Sequence, residues 1–176
     1  SIFRKDEIII PTGKVELYPG DDIYICIKND DILRALRVFG IKPQENRKLI
    51  VVGAGNIGLN ILKILENDYP DINCKIIDND LERTKDISSK LSKQSTILCG
   101  DAIDSNLLRD AGASDSEAII TVTDDDEVNI FSALLAKDLG CKRTMAIVNN
   151  TNYRNLTKKL NLDVLIHPGN ITTSAI

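Results

Sequence analysis

The feature that most constrains this chain is a glycine-spaced turn set between an apolar run and an amphipathic stretch. Leu49 to Val52 leads into Gly53-Ala54-Gly55-Asn56-Ile57-Gly58, after which Ile57, Ile61, Leu62, Ile64 and Leu65 recur at helical spacing. An acidic residue, Asp78, stands 20 positions beyond Gly58, at the end of the next apolar run, Cys74 to Ile77. A strand, a G-x-G-x-x-G turn, a helix and a strand-end acid at that distance form the dinucleotide-binding fingerprint. Gly53 permits the tight turn. Gly55 lets the backbone approach a pyrophosphate, and Gly58 lets the helix pack on the strand. Asn56 and Ile57 open the helix, whose first N–H groups lack partners within it and carry partial positive charge. The alternative reading is a glycine turn kept for packing, with no ligand.

The pattern then repeats. Thr96 to Cys99, Ala118 to Val122, Thr144 to Val148 and Val164 to Ile166 read as further strands. Helices are expected at Leu81 to Leu91, started by Asn79 or Asp80, at Ser105 to Ala111, at Glu127 to Leu139 and at Tyr153 to Leu160. Gly140 fits a left-handed cap after the third of these. Short, non-alternating strands between helices predict a parallel sheet covered on both faces. Six such units predict an α/β fold, a Rossmann-type doubly wound six-stranded parallel sheet. Aromatic residues are only 4% of the chain against 43% apolar, so the core must be Ile, Leu and Val.

Residues 41 to 47 are polar, contain Pro43 and lack periodicity, and so read as a linker. Before them, residues 1 to 40 form a small partial α+β segment. Ile8 to Ile10 and Ile23 to Ile27 read as strands, Val15 and Leu17 alternate with polar residues, and Asp30 or Asp31 caps a helix through Phe39. About 40 residues bury too little surface to fold alone, so this segment reads as the end of a domain begun elsewhere. The stretch up to Ile176 reads as the start of another helix, so the domain from 48 to 176 is expected to be truncated at its C-terminal end.

Asp78 is placed to accept hydrogen bonds from ribose hydroxyls and repels a 2′-phosphate. Neither Asn79 nor Asp80 supplies a cation, which favours NAD or an adenosine nucleotide over NADP. Arg83 reads either as a phosphate contact or as a surface arginine. Gly100, Asp101 and Ala102 close the third strand, and Thr123 the fourth, at the sheet edge where ligands sit in open parallel sheets. Asp101 reads equally as a ligand contact and as a turn starter. The acidic run Asp124 to Glu127 reads as a helix cap rather than a metal site. No catalytic set and no metal set is identified. His167, the sole histidine, has no partner at ligand or triad spacing and reads as structural.

The cysteines, Cys26, Cys74, Cys99 and Cys141, form no C-x-x-C pair and read as small buried residues in a reducing compartment. A net charge of −4 and the absence of basic clusters exclude a nucleic-acid partner. No apolar run approaches the roughly 18 residues of a membrane span, and no secretory leader is visible. Neither membrane insertion nor export is expected, and the default location is the cytoplasm.

These motifs resemble those of the RCK or KTN domain, the nucleotide-binding regulator of bacterial potassium channels and transporters. The resemblance rests on Gly53 to Gly58, Ile77 to Asp80 with Arg83, Gly100 to Ala102, and Leu107 to Gly112. Its most specific part is Thr123 to Asn129 followed by Ala133 to Lys137. Residues 1 to 40 resemble the end of an RCK C-terminal lobe, on Pro11 to Gly13 and Pro19 to Asp21. A lobe that precedes such a domain implies tandem copies, as in the peripheral subunits of potassium uptake systems.

The resemblance implies a regulatory subunit rather than an enzyme, with NAD(H), or else ATP or ADP, as ligand. It implies a membrane-embedded potassium transporter subunit as partner, and a place in the cytoplasm at the inner face of the cell membrane. It also implies a homo-oligomer, dimer or tetramer, paired through helices such as Glu127 to Leu139. There Val128, Ile130, Phe131, Leu134, Leu135 and Leu139 cover more than one stripe. Many members carry basic residues on the fifth strand, where this chain has Ala146 to Asn149, so no cation meets phosphate from there. The alternative function is an NAD-dependent oxidoreductase, which needs a positioned acid or base that a lone histidine does not supply. An S-adenosylmethionine-dependent methyltransferase leaves the run 123 to 129 without a role.

Overall fold

The structure is a computed structural model and describes residues 1–4, 7–28, 31–40, 47–92, 94–153 and 160–168. The chain divides into two compact units, Ser1–Gln44 and Glu45–Ile176.

In the first unit, β1 (Ile2–Arg4), β2 (Glu7–Ile9) and β3 (Asp22–Ile23) form an antiparallel sheet in the order β2-β1-β3. A short helix, α1 (Ile32–Val38), follows. Among the described residues of this unit Ile2 is the buried apolar one, while Ile8, Ile10 and Tyr24 are largely exposed. A polar clamp joins β1 to the turn before β3. Arg4 donates from Nε and Nη2 to the two carboxylate oxygens of Asp21, both at 2.7 Å, and its guanidinium lies 4.6 Å from the Tyr18 ring centre. Arg4, helped by the Tyr18 N–H, holds the Asp21 carboxyl down at about 2 against the opposing effect of burial.

Two expectations here need correction. The strand expected at Ile23 to Ile27 is only Asp22–Ile23, because its partner β1 offers just Ile2 and Phe3 for pairing. The strand Ile2–Arg4 was not expected, since three residues carry no periodicity. Asp30 lies outside the described residues, and Asp31, at the start of α1, makes no side-chain cap.

The second unit alternates strand and helix: β4 (Arg47–Val52), α2 (Asn56–Asp68), β5 (Ile72–Asp78), α3 (Leu81–Ser88), β6 (Ser95–Cys99), α4 (Ser105–Asp110), β7 (Ala118–Thr121), α5 (Asp126–Asp138), β8 (Thr144–Ile147) and β9 (Val164–Ile166). All pairings are parallel, in the order β6-β5-β4-β7-β8-β9. The order reverses on the two sides of β4, which is the doubly wound arrangement the sequence predicts.

Alternate residues of β4 feed two cores. Ile50 and Val52 pack with Leu108, Ala111, Ile119 and Ala136 on one face. Val51 packs with Leu62, Ile76, Ile87 and Val122 on the other. All three β4 residues are at most 1% exposed. Burial on both faces explains why the strand sequence does not alternate.

Helix α3 stops at Ser88 rather than Leu91. Glu66 of α2 accepts from the Ser92 N–H (3.0 Å) and the Ser95 hydroxyl (2.8 Å), and this turns the chain towards β6. Of the helix expected at Tyr153 to Leu160, residues 154–159 lie outside the described set, and Thr151–Tyr153 forms a 3₁₀ turn. Residues 41–46 of the expected linker also lie outside it, and Arg47 already belongs to β4. Gly140 takes the left-handed conformation expected after α5, at φ +105°. Among the described residues, no helix is long and apolar enough to cross a membrane.

The cysteines divide. Cys74 and Cys141 are buried, but Cys26 and Cys99 are exposed, contrary to the expectation of four buried thiols. Cys99 ends β6, the edge strand of the sheet among the described residues. Burial, with Glu66 nearby, pushes the Cys74 thiol up to about 12, and burial also raises Cys141. A thiol-specific reagent at pH 8 is therefore expected to modify Cys26 and Cys99 in the native protein and to reach Cys74 and Cys141 only after unfolding. Peptide mapping of native and denatured samples checks this.

Candidate functional site

The turn after β4 is held by contacts that exclude side chains. Gly53 sits at φ +100°, and a Cβ there would lie 3.0 Å from the Thr123 nitrogen. A Cβ on Gly58 would lie 1.9 Å from the Gly53 carbonyl oxygen. Both glycines are therefore required by packing. Gly55 is different: a Cβ there meets nothing within 4 Å. Its small size answers to no protein neighbour. It faces the open space at the start of α2.

The helix starts around this sheet sharpen the point. Helices α3, α4 and α5 begin at Asp80, Asp104 and Asp125, whose carboxylates accept from first-turn N–H groups. That agrees with Asp80 as the α3 starter and with the acidic run as a cap for α5. Helix α2 instead begins at Gly55, with no side-chain cap and no acid in its first turn. Its N–H donors and partial positive charge are thus left for an external acceptor.

These elements border a cavity of about 750 Å³ at the carboxyl edge of the sheet, within the range of small-molecule and cofactor sites. Every residue singled out from the sequence lines it except Gly58: Gly53, Gly55, Asn56, Ile57, Asp78, Asn79, Arg83, Gly100, Asp101, Ala102 and Thr123. Gly58 serves the turn from behind. Asp101 also starts a turn, accepting from the Ile103 N–H at 3.0 Å.

Asp78 is 7% exposed. Its Oδ2 accepts from the Ala54 N–H at 2.7 Å and its Oδ1 from the Asp80 N–H at 2.9 Å, so it ties the end of β5 to the glycine turn. Arg83 pairs with it at 3.1 Å and with Asp80 at 3.4 Å. Arg83 thus neutralises the acid rather than standing free for a phosphate. The Asp80 carboxyl is held below its usual range, first by the Arg83 N–H. Burial opposes this, while the Arg83 charge and the Glu82 N–H add to it.

The far wall carries residues that the sequence reading placed in motifs but did not name as part of the site. Asn129 of α5 is fully buried. Its Oδ1 accepts from the Thr123 N–H and hydroxyl, each at 2.8 Å. Its Nδ2 donates to the Thr123 and Ile147 carbonyls, each at 3.0 Å. One side chain therefore fixes the loops after β7 and β8. Asp126, 8% exposed, accepts from the backbone N–H groups of Asn149 and Asn150. Asn149 lines the cavity where a basic residue is missing. The signal for Asn129 was an amide on the core-facing stripe of an amphipathic helix. His167 lies outside the cavity lining and donates from Nδ1 to the Val148 carbonyl at 2.8 Å.

A family model of the TrkA-N domain matches residues 49–168. The chain belongs to the TrkA-N family. It is 34% identical over all 176 residues to the Trk system potassium uptake protein TrkA of Azorhizobium caulinodans, of which it covers 38%. The chain spans about two fifths of the length of the curated relatives it matches. Among solved structures, the TrkA-N domain of the inner membrane protein ybaL from Escherichia coli superposes with a TM-score of 0.64 at 12% identity, over 76% of this chain and 96% of that one. The GsuK channel bound to NAD gives 0.60 at 14% identity, over 76% of this chain and 25% of that one. The two likenesses establish the Rossmann-type fold of the TrkA-N unit.

Replacing Asn129 by Ala strands the Thr123 N–H and the Ile147 carbonyl in the interior. The variant is expected to lose about 2–4 kcal/mol of stability, measured by urea unfolding. A loss below about 1 kcal/mol would show that the amide is dispensable.

Proposed function

We propose that this chain is a nucleotide-binding switch, part of the peripheral regulatory subunit of a potassium uptake system. The observation that carries the reading is the uncapped start of α2 at Gly55, facing a cavity with Asp78 on its other side. A pyrophosphate supplies the missing acceptor for the α2 N–H groups, and the strand-end acid suits an adenosine ribose. The ligand is NAD(H), with ATP or ADP as the second candidate, since both present the same ribose and phosphates. The binding residues are Gly53, Gly55, Asn56, Ile57, Asp78, Asn79, Gly100, Asp101, Ala102 and Thr123, with Gly58 shaping the turn and Arg83 paired with Asp78 at the cavity wall.

The partner is a membrane-embedded potassium transporter subunit, and the chain works at the inner face of the cell membrane. Residues 1–40 are the end of an RCK C-terminal lobe ahead of the TrkA-N domain. The exposed Ile8, Ile10 and Val38 support this, as apolar surface that the rest of a lobe would cover. Pairing of copies runs through α5. Val128, Leu135 and Leu139 pack on the core, but Phe131 stands 53% exposed on the same helix. Nucleotide binding then alters the angle between paired domains, and the transporter reads the change. No chemistry is performed on the ligand, so absorbance of NADH at 340 nm stays constant on incubation.

Gly55→Asp places a side chain and a negative charge where the pyrophosphate would lie. Because a Cβ there meets nothing, the variant should fold with an unchanged circular dichroism spectrum and show no calorimetric signal with NADH or ADP. Undiminished affinity in the folded variant would move the site away from the glycine turn.

A further inference from the structure

We propose that Arg83 is a specificity-determining residue: it occupies the ribose-recognising carboxylate of Asp78 until a nucleotide with a free 2′,3′-diol displaces it. This rests on the nucleotide reading of the cavity. The Asp78 carboxylate is fully engaged. Its Oδ2 accepts from the Ala54 N–H at 2.7 Å and from Arg83 Nη1 at 3.1 Å. Its Oδ1 accepts from the Asp80 N–H at 2.9 Å and from Arg83 Nη1 at 3.3 Å. An ionised carboxylate offers about four acceptor positions, and each is used here.

The donors are not equally replaceable. The Ala54 N–H belongs to the glycine turn, and the Asp80 N–H to the residue that caps α3. Neither can leave without undoing the backbone around it. The guanidinium sits on a side chain that is 46% exposed, at the cavity wall. It also has a second acceptor, Asp80 Oδ2 at 3.4 Å from Nη2. A ribose diol therefore reaches Asp78 only in place of Arg83, and Arg83 can yield by swinging onto Asp80.

The consequence depends on the ligand. Against a diol, Arg83 is a competitor, so binding carries the cost of breaking an ion pair. Against a 2′-phosphate it is a partner, because the cation offsets the charge of Asp78 and itself pairs with phosphate. A residue that merely braced α3 would affect both ligands alike.

The test is calorimetric titration of the full chain, wild type and Arg83→Ala, with NADH and with NADPH. Arg83→Gln, which keeps the length and removes the charge, serves as the second variant. The expected result is NADH affinity about two- to fivefold higher in both variants, the strength of a partly exposed ion pair, and NADPH affinity not raised. Unchanged or weaker NADH binding, or equal tightening of both ligands, overturns the role given to Arg83 while leaving the site itself in place. If the wild type binds neither ligand and ADP titrated in the same way does not bind either, the nucleotide reading falls and Arg83 loses its role with it.

Discussion

The close approach of α2 to the turn after β4 governs the whole carboxyl edge of the sheet. With the Gly53 carbonyl oxygen only 1.9 Å from where a Gly58 Cβ would stand, the helix starts hard against the strand it follows. The cap position of that helix, Gly55, carries no side chain, where α3, α4 and α5 each have a capping aspartate. The first N–H groups of α2 have no side-chain cap and face the cavity. Asp78 then ties the turn to β5 through the Ala54 N–H.

Opposite this rigid edge stands a wall held in another way. Thr123 follows β7, Ile147 ends β8, and Asn129 joins both to α5 from inside the core. The hydroxyl of Thr121 adds a bond to the Asn129 carbonyl at 2.9 Å. The loop that faces the cavity and the helix that carries the exposed Phe131 are thus joined by buried hydrogen bonds, which are costly to break one at a time. In the switch proposed for this chain, that linkage gives a ligand at Thr123 a mechanical hold on α5.

What was legible in the sequence is what local chemistry dictates. The glycine spacing, the acid 20 residues on, the aspartate helix starts and the left-handed Gly140 all act within a few residues or one βαβ unit. The parallel six-stranded sheet covered on both faces followed from strands too apolar to have a wet face. The parts that stayed hidden depend on distant partners. Arg83 looked like a free cation because nothing in the chain tells that its charge is spent on Asp78. Glu66 fixes the turn after α3 from another helix, across 26 residues to Ser92. Cys99 looked buried because its run is apolar, yet β6 is the edge of the sheet.

The central claim is that the start of α2 is where this domain holds a nucleotide. The most direct test is to titrate isotope-labelled protein with NADH and follow the backbone amide resonances. The account predicts the largest shifts at Gly53 to Gly58, with Asp78, Gly100 and Thr123 following, and little change in residues 1–40. Saturable binding whose shifts leave the Gly53 to Gly58 amides in place would contradict it.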